Sequence, residues 1–212
     1  MKIALIAASG KIGQHIASEI LARGHELIAI TRSDKALPSA LSAAEQRVAN
    51  ALDTAALTQA VAGADVIASA YGPAMGQEAE LSQIASSLIG AARQSGIRRL
   101  IVIGGAGSLE VAPGVQLVDI PEFPAAYKAV ASAARESLAI YRQAADLDWT
   151  FFAPAAMIVP GEKKGGFKVG RRQLLADAAG NSLIHYPDYA SAFVDEIEQS
   201  QFVRDIATVA YA

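Results

Sequence analysis

The chain has 212 residues, 52% of them hydrophobic, which is enough to bury the core of one domain. Its formal net charge of -3 gives no electrostatic footprint for nucleic acid or for an anionic membrane. The absence of cysteine excludes disulfides, a thiolate nucleophile and cysteine-ligated metal sites. No apolar run approaches the ~20 residues that cross a bilayer, and no cleavable leader precedes the first predicted strand, so we expect a soluble cytoplasmic protein.

Strand and helix signals alternate along most of the chain. Lys2 to Ala8 is a nearly continuous apolar run, as in a parallel strand buried on both faces. Isoleucines at helical spacing follow it as far as Gly24, and Asp53 is a predicted helix N-cap. Further strands are predicted over 26–31, 46–49, 65–70, 99–104, 149–153 and 205–211, and further helices over 54–63, 76–96, 125–145 and 187–199.

This alternation predicts repeated βαβ units, and hence an α/β fold with a Rossmann-type doubly wound parallel sheet. The regularity weakens after Pro154, where a stretch rich in Gly, Lys and Arg predicts loops and short strands beside the sheet. No internal repeat, low-complexity tract or linker divides the chain. We therefore expect residues 1–212 to form a single domain.

The stretch IAASGKIG, Ile6 to Gly13, joins the first strand to the first helix. Free N–H groups and the dipole of a helix N-terminus favour an anion, and glycines allow a ligand to approach the backbone. Here the first of three glycine positions is Ala7, which would cost ~1–2 kcal/mol if that position needed a positive φ. The context still predicts a dinucleotide-binding loop, the alternative being a tight turn without a ligand. The expected contacts are Ala7, Ser9, Gly10, Lys11, Ile12 and Gly13.

The end of the second strand predicts which dinucleotide is bound. A site that prefers NAD usually places Asp or Glu there, about 20 residues beyond the glycine motif, to hold the ribose 2′-hydroxyl. This chain has Thr31 and Arg32, and its first carboxylate, Asp34, comes two residues too late. A guanidinium binds a 2′-phosphate through its planar fork, and Lys11 adds a second positive charge, so we predict NADP(H) over NAD(H). An NAD site that uses Asp34, or an Arg32 that is only solvated, are the alternatives.

Ligands of doubly wound sheets bind at the carboxyl ends of the strands. The residues that follow the predicted strands are therefore further candidates for contacts with the dinucleotide. The alternative for each is a loop residue with a packing role. These candidates are Asn50, Ala51, Ala70, Tyr71, Gly72, Gly104, Gly105, Pro154, Ala155, Ala156 and Met157.

Five segments, in this order, resemble one family: IAASGKIG, AYG around Tyr71, IGGAGSL, DWTFFAPAAMIVPGEKKGGFKVG and DYASAFVDEIE. They resemble the NADH-flavin reductase group of atypical short-chain dehydrogenase/reductases, which is related to biliverdin-IXβ reductase/flavin reductase and to NAD(P)-binding proteins of the nitrogen-metabolite-repression type. The resemblance covers essentially the whole chain. It implies a Rossmann fold, a bound NAD(P) and a small C-terminal substrate lobe, mainly residues 154–200. Ala7 departs from the family's glycine, and Asn50 from its frequent aspartate near the adenine.

The sequence lacks the Tyr-x-x-x-Lys pair that many short-chain reductases use for acid–base chemistry. No tyrosine is followed four residues later by lysine, and Lys128 is directly adjacent to Tyr127. Flavin reduction does not need such a pair, because hydride passes directly between the two stacked cofactors. The absence and the resemblance together predict a reductase of FMN, FAD or a similar flat acceptor such as a quinone. The alternative is a non-catalytic NADP(H)-sensing regulatory protein.

The pocket for this small-molecule acceptor has five candidate wall residues, two of which, Ser108 and Tyr127, are also candidate catalytic residues. Ser108 is equally well interpreted as a loop serine without a role, and Phe123 and Met157 as ordinary core residues. The three histidines are too scattered to suggest a metal cluster, so we expect no metal. The oligomeric state is not predicted. The candidate wall residues are Tyr71, Ser108, Phe123, Tyr127 and Met157.

Overall fold

The computed structural model describes the whole chain, Met1–Ala212. It contains five α-helices and twelve strands, several of them short. The helices are α1 (Gly13–Ala22), α2 (Thr54–Ala60), α3 (Glu80–Ser95), α4 (Ala125–Gln143) and α5 (Tyr186–Gln199). The strands are β1 (Lys2–Ile6), β2 (Glu26–Thr31), β3 (Glu45–Val48), β4 (Val66–Ser69), β5 (Arg99–Ile103), β6 (Glu110–Ala112), β7 (Val115–Gln116), β8 (Asp148–Ala153), β9 (Met157–Val159), β10 (Phe167–Arg171), β11 (Leu183–His185) and β12 (Asp205–Tyr211).

Eight of the strands form one twisted sheet in the order β10-β12-β8-β5-β4-β1-β2-β3. All neighbouring pairs are parallel except β10 and β12, which run antiparallel. The strand order reverses between β1 and β4, and this is the position at which a doubly wound sheet opens a crevice at its carboxyl edge. The predicted Rossmann-type fold is therefore confirmed.

The helices cover both faces of the sheet and divide the core in two. On one face α1 packs against α5, and Ile16 and Phe193 are fully buried between these helices and the sheet. On the other face α3 packs between α2 and α4, and Leu57, Leu88 and Leu138 are fully buried. This arrangement explains the continuous apolar strands, because each of them faces a helix layer on both sides. None of the five helices is both long and apolar enough to cross a membrane.

The strong sequence signals correspond closely to the observed elements. Strands β2 and β12, the second and the last along the chain, have the predicted bounds. Asp53 caps α2 as predicted, because its carboxylate accepts hydrogen bonds from the N–H groups of Ala55 and Ala56. The helix predicted from residue 76 was wrong at its start, since α3 begins only at Glu80. Gly76 adopts φ +84°, which is outside the helical region, and a turn occupies the residues after it.

The region after Pro154 forms short strands, as expected, but not all of them lie beside the sheet. Strands β9 and β11 pair with each other, whereas β10 joins the main sheet as an antiparallel edge strand. Phe167 packs into the core on the α1–α5 face, while the neighbouring Lys168 is exposed. An edge strand that carries lysine and arginine is protected from pairing with other chains.

Candidate functional site

The turn after β1 is tight, and its geometry answers the question raised by Ala7. Ala7 adopts φ +58°, in the left-handed region, and its carbonyl oxygen accepts a hydrogen bond from the N–H of Gly10 at 2.9 Å. A Cβ at Gly13 would overlap with that same oxygen, and a Cβ at Gly10 would lie 3.1 Å from it. Gly13 is therefore required by the turn itself, and Ala7 carries a conformational cost of ~1–2 kcal/mol.

The N-terminus of α1 offers unpaired donors next to this turn. The N–H groups of Lys11, Ile12 and Gly13 donate to no backbone or side-chain acceptor, and no side chain caps the helix. No acidic residue lies in the first turn of the helix, and the side chains of Ser9 and Lys11 are exposed. Free N–H groups and the positive end of the helix dipole thus meet at one place, as a diphosphate requires.

Arg32 follows β2, the strand on one side of β1, and its guanidinium is exposed. It takes part in no ion pair, unlike most arginines of this chain. The backbone beneath it is fixed, because Thr31 Oγ1 donates to the carbonyl of Ser33 at 2.7 Å and Gln46 Nε2 donates to the carbonyl of Lys35 at 2.9 Å. A free cation on a fixed loop suits an anionic group such as a 2′-phosphate.

Tyr71 follows β4, the strand on the other side of β1. Its hydroxyl donates a hydrogen bond to the carboxylate of Glu80, at the start of α3. Burial, together with this carboxylate, raises the pKa of Tyr71 to about 12, while the charge of Arg32 acts in the opposite direction. The raised pKa and the hydrogen bond to Glu80 therefore make the Tyr71 hydroxyl a poorer proton donor than an ordinary tyrosine.

The other candidates at the ends of β3 and β4 differ in accessibility. Asn50 is exposed, and its Oδ1 accepts a hydrogen bond from the N–H of Leu52 at 3.1 Å. Ala51 is buried and is 4% exposed, so its side chain belongs to the core. Ala70 is half-buried and Gly72 is exposed.

The glycines after β5 are required by packing. A Cβ at Gly104 would overlap with the ring of Phe151, and a Cβ at Gly105 would lie 2.8 Å from the Cβ of Ala134 in α4. Gly104 leaves room for the Phe151 ring of β8, and Gly105 lets α4 approach the sheet closely, which explains both glycines without a ligand. A contact between their backbone and the dinucleotide stays a prediction.

Ser108 lies in a short turn directly after these glycines and is 1% exposed. Its Oγ has no hydrogen-bond partner, and a buried hydroxyl in that state costs ~1–3 kcal/mol. The end of strand β7 and the residues after it cover this turn: Gln116 Nε2 donates to the carbonyl of Ser108 at 3.1 Å, and Val118 is fully buried near Gly107. In this conformation a substrate does not reach the Ser108 hydroxyl, because the side chain is buried.

The first turn of α4 carries the other candidate catalytic residue. Tyr127 is 63% exposed, and Lys128 Nζ donates to the carbonyl of Val118 at 2.7 Å. The ammonium group of Lys128 also lies 6.0 Å from the ring centre of Phe123, which is half-buried. The lysine is therefore engaged away from Tyr127, and the two do not form an acid–base pair.

The residues after β8 are partly buried and partly open. Pro154 and Ala155 are buried, whereas Ala156 is exposed and its N–H donates to Ser182 Oγ at 3.0 Å. Met157 is 60% exposed, so the interpretation of this residue as ordinary core was wrong. Sequence reasoning missed Met75, which is 98% exposed in the loop between β4 and α3.

The basic run GEKKGGFKVGRR is a structured segment rather than a free loop. Lys163 pairs with Glu19 of α1 at 2.9 Å, and Arg172 pairs with Asp205 of β12 at 2.6 Å. The carboxylate of Asp188 accepts hydrogen bonds from the N–H groups of Lys164 and Gly165 at 2.8 and 2.9 Å. Ion pairs within the fold thus neutralise much of the positive charge of this basic run.

The histidines have structural partners and form no metal site. His15 packs against the ring of Tyr186 with ring centres 5.7 Å apart, and His185 bonds the carbonyl of Glu162 at 2.9 Å. His25 bonds Glu198 at 2.8 Å. The chain contains no group of three His, Cys, Asp or Glu side chains that could hold a metal ion.

A Rossmann-type sheet with an open helix N-terminus at its switch point defines a dinucleotide-binding protein. The comparison with known families agrees: the model of a family described as NAD(P)H-binding matches residues 7–199. The chain belongs to this family of NAD(P)H-binding proteins, which is of the atypical short-chain dehydrogenase/reductase type. The resemblance drawn from the sequence is confirmed.

Several solved structures are similar over essentially the whole chain, and three of them illustrate the likeness. A protein of Burkholderia pseudomallei, called a "putative exported protein", is 48% identical with a TM-score of 0.92, and the match covers 100% of both chains. A Streptococcus pneumoniae protein, called a "putative NADH-flavin reductase", is 31% identical with a TM-score of 0.87 and 99% of each chain covered. A Bacteroides thetaiotaomicron protein, called a "putative epimerase", is 31% identical with a TM-score of 0.88, covering 99% of this chain and 96% of that one. The reaction and the cytoplasmic location of this chain stay predictions.

Proposed function

We propose that this chain is an NADPH-dependent reductase of a flavin or a similar flat acceptor such as a quinone. One observation carries the proposal: exposed apolar side chains lie at the carboxyl edge of the sheet, the edge that also holds the open N-terminus of α1. Met75, Tyr127 and Met157 are 98%, 63% and 60% exposed, and they follow β4, open α4 and follow β8, respectively. Apolar and aromatic side chains are the surface that a flat ring system needs for stacking.

The residues of this edge fit a dinucleotide. The three free N–H groups from Lys11 to Gly13 would hold the diphosphate, and the unpaired Arg32 would hold the 2′-phosphate. NADPH supplies a hydride when it is bound. The work of the chain is then to bind and orient the two ring systems and to keep water from between them.

The occupied Lys128 supports direct hydride transfer over alcohol chemistry. A tyrosine acid needs a nearby cation that lowers its pKa, and Lys128 is bound to the Val118 carbonyl instead. Tyr71 is not such an acid either, because its hydroxyl donates its hydrogen bond to the carboxylate of Glu80. An acceptor that needs no proton from the protein in the hydride step, such as a flavin, suits this site.

The reaction is tested by mixing the purified protein with NADPH and FMN and following the nicotinamide absorbance band. We expect oxidation well above the protein-free rate, and a Tyr127→Glu/Met157→Glu double variant to lose most of it, because two charges replace the apolar surface. Val203→Glu is the matched control, since Val203 is 38% exposed and lies beyond α5. Firm NADPH binding without oxidation of FMN or a quinone would contradict the proposal.

That last outcome would favour a second candidate, an NADP(H)-sensing regulatory protein. The state of the candidate catalytic groups is the observation that favours it: the Ser108 hydroxyl is enclosed, and Lys128 is engaged away from Tyr127. A sensor would bind NADPH with the same residues and would not need the exposed apolar edge. The Tyr127→Glu/Met157→Glu variant would then bind NADPH unchanged and show no activity to lose.

The preference for NADPH depends on Arg32. Arg32→Ala removes a charge-assisted bond, so we expect the ratio of NADPH to NADH affinity to fall about tenfold. Arg142→Ala is the control, because Arg142 is also exposed but lies at the C-terminal end of α4, at the opposite edge of the sheet. An unchanged ratio in Arg32→Ala would contradict the assignment and leave Asp34 as the residue that reads the ribose.

A further inference from the structure

We propose that Glu80 is a positioning residue of the dinucleotide site: its carboxylate fixes the Tyr71 side chain as a wall beside the adenosine half of the ligand. The inference rests on the proposed placement of the dinucleotide across the carboxyl end of β1. Glu80 itself touches no ligand in this proposal. It acts through the hydrogen bond that it accepts from Tyr71.

The Tyr71–Glu80 pair lies beside the strand that leads into the phosphate turn. Strand β1 has β4 on one side and β2 on the other, so Tyr71 after β4 and Arg32 after β2 flank the Gly10 turn. Arg32 and Tyr71 therefore lie at the carboxyl edge on either side of the phosphate turn, where the adenosine half would be. The charge of Arg32 also acts to lower the pKa of the Tyr71 hydroxyl, against the larger effects of burial and Glu80.

The contacts of Tyr71 and Glu80 hold the tyrosine ring in place. The Tyr71 ring is half-buried against the core cluster on the α2–α4 face, and Glu80 is the first residue of α3. Their bond is the one side-chain hydrogen bond that joins the two ends of the loop 72–79. Most of that loop is exposed, and Met75 at its tip is 98% exposed. Without the bond, the ring would be free to leave its position together with the loop.

A fixed wall has a binding consequence that a mobile one lacks. A side chain that is already ordered loses little rotamer freedom when a ligand packs against it, and each side chain that must be ordered weakens binding by a few-fold to about tenfold. The Tyr71 hydroxyl is committed to Glu80, so this residue contributes its ring and not a proton. The conformational role of Glu80 should therefore appear in dinucleotide affinity and not in the rate at saturating NADPH.

The test compares NADPH affinity, by calorimetry, across a set of full-length variants. We expect Glu80→Ala and Tyr71→Phe each to weaken binding about fivefold, and the double variant to be no weaker than either single variant, because both remove the same bond. Glu80→Gln should bind within about twofold of the wild type, since its amide oxygen still accepts the hydrogen bond. Glu78→Ala is the matched control, as this carboxylate lies in the same loop and bonds only the N–H of Gly76.

Each outcome decides a different question. Wild-type affinity in both Glu80→Ala and Tyr71→Phe, or additive losses in the double variant, would overturn the role of Glu80. A loss in Glu80→Gln equal to that in Glu80→Ala would also overturn it, because charge and not position would then matter. If Glu80→Ala does not fold, Tyr71→Phe against Glu80→Gln decides alone. NADPH binding without oxidation of an acceptor would remove the reductase proposal only, and a wild type that binds no dinucleotide would remove both.

Discussion

At the scale of single residues, Ala7 connects the sequence to the binding site. Its left-handed backbone points its carbonyl oxygen at Gly10 and Gly13, and this orientation leaves the next N–H groups free for a ligand. Glycine would adopt the same conformation without the steric cost of a methyl group. The turn keeps the geometry of a three-glycine loop although alanine replaces one of its glycines. The stability of the rest of the fold offsets the conformational cost of Ala7.

We therefore predict that Ala7→Gly stabilises the protein. Relief of the left-handed strain is worth ~1–2 kcal/mol, and the greater freedom of glycine in the unfolded chain takes back about 0.4–1 kcal/mol, so a net gain of about 0.5–1 kcal/mol remains. Urea unfolding measures this gain. Ala8→Gly is the control, because Ala8 is fully buried with no positive φ and should lose stability. A lower unfolding free energy in Ala7→Gly would contradict the strain.

Sequence patterns predicted some site residues and not others for a physical reason. The glycine spacing and Arg32 are local features of the first β–α–β unit, whose elements lie close to their predicted bounds. The bond between Tyr71 and Glu80 spans an irregular loop, whose path no spacing rule gives. The enclosure of Ser108 depends on Gln116 and the residues after it, which return over the turn only in the folded chain.

At the scale of elements, Asp188 joins α5, the 160–166 loop and β12. It is fully buried, and besides the N–H groups of Lys164 and Gly165 its carboxylate accepts a hydrogen bond from the Tyr211 hydroxyl. Burial alone would raise the pKa of this carboxyl group, but the three donors outweigh it and the pKa is lowered. The sequence predicted a helix from Pro187 onward. It did not predict that Asp188, in the first turn of this helix, accepts hydrogen bonds from the 160–166 loop.

The lowered pKa of Asp188 makes the stability of the fold depend on pH. Since the folded-state pKa lies below the unfolded value of ~3.9, the contribution is present above about pH 4 and is lost as the pH falls through the folded pKa. We predict that Asp188→Asn costs about 2 kcal/mol at pH 7 and flattens the acid dependence of the unfolding free energy.

Urea unfolding at pH 7 and at pH 3 measures both effects of Asp188→Asn. Asp34→Asn is the matched control, because Asp34 is exposed in the loop after β2, and it should change neither value. An Asp188→Asn variant that loses as much stability between pH 7 and pH 3 as the wild type does would show that other carboxylates carry the acid dependence.

At the scale of the whole molecule, the sheet and its helix layers follow from the periodicity of the sequence. Long apolar runs and helical repeats determine most of the main-sheet strands, and Arg99, Thr150 and Glu196 tie β5, β8 and α5 together at the amino edge. The antiparallel β10 and the short pairs β6–β7 and β9–β11 were not predicted in their positions. The pairing of β10 with β12 and of β9 with β11 depends on partners far along the chain, as where Phe167 lies opposite Tyr211. The β6–β7 pair is a short local hairpin, and the Glu110 N–H of β6 also donates to the distant Arg172 carbonyl.

Strand direction divides the molecule into an edge that carries the candidate ligand-binding residues and an edge that stabilises the fold. The free donors of α1, the unpaired Arg32 and the exposed Tyr127 and Met157 all lie at the carboxyl edge, whereas the buried Arg99–Glu196 pair lies at the other. Ligand contacts can thus vary at one edge while the other keeps the fold together.

If the free backbone N–H groups after β1 hold the diphosphate of NADPH, calorimetric titration will detect this binding and its dependence on the turn. We expect roughly micromolar affinity for NADPH in the wild type and at least a tenfold loss in Gly13→Ala, because the added Cβ overlaps with the Ala7 carbonyl oxygen and deforms the turn. No heat of binding from NADPH or NADH to the wild type at millimolar ligand, or equal affinity in Gly13→Ala, would contradict it.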